Sequence, residues 1–99
     1  MEKPLSEYQF LKKLENLSFV EHVFLFGSRA RGTNQPRSDI DIAIDCPTAS
    51  AADWHTVMNI IEEADTLIKV DCVRLNKLPE NDPFRKNILR DAVELYAKH

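Results

Sequence analysis

Two stretches decide how this chain folds: Leu25-Phe26-Gly27-Ser28-Arg29-Ala30-Arg31-Gly32 and, after the polar loop Thr33 to Ser38, Asp39-Ile40-Asp41-Ile42-Ala43-Ile44-Asp45. The second alternates strictly. Asp39, Asp41, Ala43 and Asp45 fall on one side and Ile40, Ile42 and Ile44 on the other, which is the period of a strand with one buried face. Upstream, Val20 to Phe26 is rich in β-branched and aromatic residues and stops at Gly27, so it reads as another strand. Ser28 to Gly32 then fits a short helical turn between the two.

Working outward, Ser6 reads as an N-cap with Gln9 closing a capping box, and Leu5 against Phe10 as a hydrophobic staple. Phe10, Leu14 and Leu17 follow on one helical face. Ser50 with Asp53 caps a helix in which Trp54, Val57, Met58, Ile61 and Ala64 recur at helical spacing. Leu67 to Val73 reads as a third strand. A last helix opens at Asp82 with Pro83 in its first turn, and its apolar face is Phe84, Ile88, Ala92 and Leu95. The order α-β-turn/α-β-α-β-α predicts an α/β (α+β) layer arrangement, with a small sheet of three or slightly more strands flanked by helices. The pattern leaves the strand directions open.

Composition narrows the function. Ninety-nine residues make one domain, residues 1–99, of modest burial, for which a partner protein is an expected source of stability. A net charge of -3 argues against gripping long nucleic acid through many phosphate contacts, whereas a single nucleotide needs only a local positive site that metal ions can supply. The longest apolar run, Val23 to Phe26, is too short for a membrane span, and no apolar signal core follows the N-terminus. Cys46 and Cys72 form neither a disulfide framework nor a zinc set, as expected of a reduced cytoplasmic protein.

The chemistry resides in the carboxylates. Asp39 and Asp41 leave one face of the same strand with α-carbons roughly 6–7 Å apart, so both can reach one metal ion. Asp71 lies mid-strand between Val70 and Cys72, where an isolated carboxylate is costly to bury, and convergence with the first pair would explain it. Three converging carboxylates repel unless cations bind, and all-oxygen ligation suits Mg²⁺ or Mn²⁺. Taken singly, an Asp-x-Asp pair is better explained by a solvated strand face, a mid-strand Asp by its exposed side, and a Gly-Ser turn by a turn. What favours a site is their combination. A strand ending in Gly27-Ser28 and entering a helical turn offers backbone N–H groups to phosphate, with Arg29 and Arg31 close by. The P-loop ending Gly-Lys-Ser/Thr is absent.

Gly27-Ser28, ten residues, then Asp39-Ile40-Asp41 resembles the Gly-Ser-x10-Asp-x-Asp signature of the DNA polymerase beta-like nucleotidyltransferase superfamily. Leu25 to Gly32 and Ser38-Asp39-Ile40-Asp41-Ile42 look more closely like the minimal nucleotidyltransferase (MNT) family. Val70-Asp71-Cys72-Val73 is similar to its later strand with the third carboxylate, and Ala92-Val93-Glu94-Leu95-Tyr96 to its ending. The resemblance implies a mixed-sheet catalytic core, transfer of AMP from ATP to a hydroxyl, and two Mg²⁺ ions on Asp39, Asp41 and Asp71. Gly27 and Ser28 would hold the triphosphate, and Arg29 and Ser38 would contribute to nucleotide binding. It also implies a HEPN protein as partner, in a hetero-oligomer where the MNT chain is the antitoxin and a tyrosine of the HEPN toxin is the acceptor. Steric neutralisation of that partner without catalysis, and transfer to a small molecule, are the competing expectations. Lys69 shares the Asp71 face and is either a phosphate contact or a screening charge. Asp45, Trp54, His22, His55 and Cys72 are expected to be structural or exposed.

Overall fold

In the computed structural model, which describes residues 4–98, the element order is α1 (Gln9–Glu15), β1 (His22–Phe26), α2 (Gly27–Arg31), β2 (Ile40–Asp45), α3 (Ala51–Glu62), β3 (Val70–Arg74), α4 (Pro83–Asp91) and β4 (Val93–Ala97). Single 3-10 turns at Leu5–Glu7 and Leu75–Lys77 precede α1 and follow β3. The four strands form one mixed sheet in the order β3-β2-β1-β4. β1 runs antiparallel to both β2 and β4, while β2 and β3 are parallel. A parallel pair needs a crossover connection, and α3 supplies it.

Isoleucine alternation in β2 builds the main core. Ile40, Ile42 and Ile44 are fully buried in one cluster with Val23 and Leu25 of β1, Phe10, Leu11 and Leu14 of α1, and Val57 and Ile61 of α3. The expectation of a single buried face is corrected at the centre of the sheet. Ala43 is also fully buried, on the opposite face, against Leu75 and Ile88, with Phe24, Phe26, Val73 and Leu78 around them. α4 covers that second face, and the small Ala43 side chain leaves room for it.

The ends of the elements obey local chemistry, with one substitution of partner. Ser50 and Asp53 form the expected capping box at α3, Ser50 Oγ accepting from the Asp53 N–H and Asp53 Oδ2 from the Ser50 N–H. Asp82 caps α4, with Pro83 in its first turn. The expected Ser6 cap rests on a side chain outside the described ones, and α1 itself begins later, at Gln9, with Tyr8 as N-cap residue. Its first N–H groups are satisfied from afar: Asp65 carboxylate oxygens accept from Gln9 at 3.0 Å and from Phe10 at 3.1 Å.

Strand and helix boundaries also differ from the sequence reading, and β1 begins at His22 rather than Val20. The third strand starts at Val70 rather than Leu67, whose side chain is exposed. The last helix stops at Asp91 instead of running through Leu95. Ala92 turns to φ -62°, ψ 139° and Val93–Ala97 becomes β4. The spacing of Ile88, Ala92 and Leu95 suits a helix, but β1 has a second edge whose backbone groups need partners. β4 provides them, with a bulge between Val23 and Phe24. Phe84, expected in the buried stripe, is 46% exposed.

Candidate active site

The sheet register brings the three carboxylates together. Asp41 pairs with Asp71 across the parallel β2–β3 ladder, so both side chains leave the same face side by side. Asp39 precedes β2 by one residue and shares the side of Asp41. One carboxylate oxygen from each of Asp39, Asp41 and Asp71 lies within 4.8 Å of the other two. The Asp41 carboxyl is held above its ordinary acidity range. Burial is the largest cause, followed by the charges of Asp71 and Asp39 and a hydrogen bond with Asp71, while Lys69 pulls the other way. Lys69 Nζ stands 3.5 Å from Asp71 Oδ1, an ammonium already drawn to this negative cluster. The donor set fits a divalent cation on two observations: it is all oxygen, as Mg²⁺ requires, and it gathers negative charge that a cation would relieve.

Beside the acids runs the Gly-Ser turn. Phe26, the cross-strand partner of Asp41, is extended, and the chain then enters α2 through Gly27 at φ +72°. That conformation is open to glycine, and here a second reason operates. A Cβ on Gly27 would fall on Asp41 Oδ2 and lie 3.3 Å from its Cγ. The turn and the carboxylate therefore pack backbone against side chain, with Ser28 next in line. The opening N–H groups of a helix have no intrahelical acceptor, and in α2 they lie in this same corner. α2 ends at Gly32, again left-handed, at φ +75°.

Arg29 of α2 reaches across to the loop that carries Ser38 and leads to the acids. The Arg29 guanidinium donates to the carbonyls of Ser38 (Nη2, 2.8 Å; Nε, 3.1 Å), Pro36 (3.2 Å) and Asp39 (3.3 Å). Ser38 Oγ accepts from the Gln35 N–H at 2.9 Å. These bonds fasten the segment that delivers Asp39, so Arg29 and Ser38 shape the site through the backbone. Arg31 lies 3.9 Å from Asp91 and links α2 to α4.

The remaining singled-out residues lie elsewhere. Asp45 and His22 pair with each other, Nδ1 to Oδ2 at 3.0 Å, at the far end of the β1–β2 ladder. Trp54 packs on the isoleucine face of the sheet, with the Arg74 guanidinium 5.5 Å from its ring centre. Burial pushes the Cys72 thiol up to about 12, as suits a packed, unreactive cysteine. What the sequence reading missed is Phe84. Its ring stands edge-on to Phe26 at 6.2 Å. The cap Asp82 places Phe84 in the first turn of a helix, but no local signal says which strand that turn meets.

The fold is similar to a toxin-antitoxin crystal structure determined with AMP-PNP, at TM-score 0.63 and 24% identity, covering 92% of this chain and 73% of that one. It is also similar to a substituted MntA-HpeT toxin-antitoxin structure (TM-score 0.59, 24% identity, 92% and 69% coverage). A third likeness is to a Sulfolobus solfataricus protein described as a nucleotidyltransferase (TM-score 0.57, 22% identity, 91% and 76% coverage). At these identities the likeness concerns the fold. No curated protein matches the chain significantly in sequence. The family pattern described as polymerase beta, nucleotidyltransferase, matches residues 9–99, which takes in the Gly-Ser turn and all three aspartates: the chain belongs to the polymerase beta nucleotidyltransferase family.

Proposed function

We propose that this chain is a Mg²⁺-dependent nucleotidyltransferase that moves AMP from ATP to a hydroxyl, the acceptor being a tyrosine of a HEPN-type toxin that it neutralises as an antitoxin. The observation that carries the reading is the convergence of Asp39, Asp41 and Asp71, with oxygens within 4.8 Å, against the Gly27–Ser28 turn. A purely steric binding surface has no use for clustered carboxylates that repel one another. The toxin-antitoxin setting is supported by neighbours of like fold described as toxin-antitoxin complexes, one of them determined with AMP-PNP. The acting unit is a single domain over residues 1–99, working in the cytoplasm and within a hetero-oligomer.

Asp39, Asp41 and Asp71 would hold the metal. Bound there, Mg²⁺ supplies charge to the triphosphate and lowers the pKa of an acceptor hydroxyl. The rest is the work of this chain's residues. Gly27 gives phosphate close access to the backbone, and the Ser28 hydroxyl donates to a phosphate oxygen. Arg29 and Ser38 hold the loop so that Asp39 faces its partners. Asp71, whose side chain is partly exposed, is assigned the role of assisting deprotonation of the acceptor hydroxyl. The transfer joins the acceptor oxygen to the α-phosphorus and releases pyrophosphate.

The test is a mass measurement on the HEPN protein after incubation with ATP and Mg²⁺, run with wild type and Asp71→Asn and paired with a pull-down. An AMP adduct with wild type alone, with binding retained by both, is the expected result. A partner that stays unmodified yet remains inhibited by Asp71→Asn would establish steric neutralisation instead.

A further inference from the structure

Phe84 is a large apolar ring left 46% exposed at the border of the acidic cleft. It meets Phe26 edge-on, with centroids 6.2 Å apart and planes at 76°. Phe26 is the cross-strand partner of Asp41, so their side chains rise from the same face with Cβ atoms about 5 Å apart. The next residues in the chain are Gly27 and Ser28. One aromatic pair therefore borders both the triad and the turn. Phe26 itself packs against the second core cluster of Ala43, Leu75 and Ile88.

The backbone that carries the ring is anchored, and the ring itself rests against Phe26. Asp82 Oδ1 accepts from the Phe84 N–H at 2.8 Å. Arg85, the next residue, donates from Nη1 to the Leu75 carbonyl at 2.8 Å and ties the first turn of α4 to the segment after β3. A rigid aromatic face loses little freedom when a planar ligand stacks on it. Trp54 is on the opposite face of the sheet, beneath Arg74.

We propose that Phe84, braced by Phe26, is the stacking platform for the nucleobase of the nucleotide held at the Asp39–Asp41–Asp71 triad. This rests on the nucleotidyltransferase reading and adds to it where the nucleoside lies: towards the first turn of α4, beside Phe26. Every base has a π-face, so the platform favours a nucleotide over bare triphosphate without selecting among bases.

The experiment is calorimetry in Mg²⁺ with two ligands, ATP and inorganic triphosphate, on wild type, Phe84→Ala, Phe84→Leu and Phe84→Trp, each checked by thermal unfolding. Phe84→Ala should lower ATP affinity about tenfold and leave triphosphate affinity unchanged. Phe84→Leu, which keeps apolar bulk but loses the ring, should fall in the same direction, and Phe84→Trp should match wild type or exceed it. ATP affinity unchanged in Phe84→Ala and Phe84→Leu would overturn the proposal. Equal losses for ATP and triphosphate would overturn it too, since a platform acts on the base alone. A wild type that binds neither ligand would overturn the nucleotidyltransferase reading and this inference with it.

Discussion

Gly27 and Gly32 are a matched pair for testing how the turn supports the triad. Both sit at left-handed φ, +72° and +75°, but a Cβ on Gly32 meets nothing within 4 Å, whereas one on Gly27 falls on the Asp41 carboxylate. Gly32→Ala thus measures the backbone conformation alone, about 1 kcal/mol, or a fall in Tm of about 4–8 °C for a domain of this size. Gly27→Ala carries the same backbone penalty and must also displace Asp41. Forcing that side chain off its rotamer adds about 1 kcal/mol. Asp41→Ala removes the obstructing oxygen and leaves the two Cβ atoms 3.5 Å apart, an ordinary contact. In the Asp41→Ala background, Gly27→Ala should therefore cost no more than Gly32→Ala, a coupling of about 1 kcal/mol in the double-mutant cycle. Chemical denaturation supplies the stabilities and Mg²⁺ calorimetry the second readout. Gly27→Ala should weaken Mg²⁺ binding at least about tenfold, through the loss of about 1.4 kcal/mol of ligand geometry, and Gly32→Ala should leave it unchanged. Wild-type Mg²⁺ affinity in Gly27→Ala, or strict additivity in the cycle, would refute the link between turn and carboxylate.

Other consequences can be measured directly. Because Asp41 titrates above its usual range, its charge opposes folding of the metal-free protein as pH rises through the folded-state pKa. Asp41→Asn should raise the metal-free Tm near neutrality while removing Mg²⁺ binding; a lowered Tm would contradict the repulsion argument. Lys69→Met removes the ammonium 3.5 Å from Asp71 and should tighten Mg²⁺ binding severalfold in the absence of nucleotide, read by the same calorimetry. Asp65→Ala strips the acceptor from the first two N–H groups of α1 and should destabilise by about 1–2 kcal/mol in urea. The Cys72 thiol, raised from 9.0 to about 12, ionises more readily unfolded than folded. Its contribution to stability is intact below pH 9 and is lost as pH rises towards 12; Cys72→Ala should flatten that part of the Tm–pH curve.

Much of this protein was legible along the chain because its signals are local. The isoleucine alternation in β2, the Ser50–Asp53 box, the Asp82–Pro83 start and the Gly27–Ser28 turn each depend on residues a few positions apart, and the structure retains all four. The spacing of Asp39 and Asp41 already placed two carboxylates on one face. Where Asp71 joins them was not contained in its own neighbourhood. It is set by the parallel register that aligns Asp41 with Asp71, and a strand pattern specifies neither direction nor partner. The same limit explains β4. Val93–Ala97 carries no period that separates a helix end from a short strand, and the open edge of β1 decided the matter by offering backbone hydrogen bonds. Asp65 as the cap of α1, Ala43 buried beneath α4, and Phe84 beside Phe26 belong to the same class. Each is a contact between segments far apart in sequence, and only the packing of the sheet and its helices brings them together.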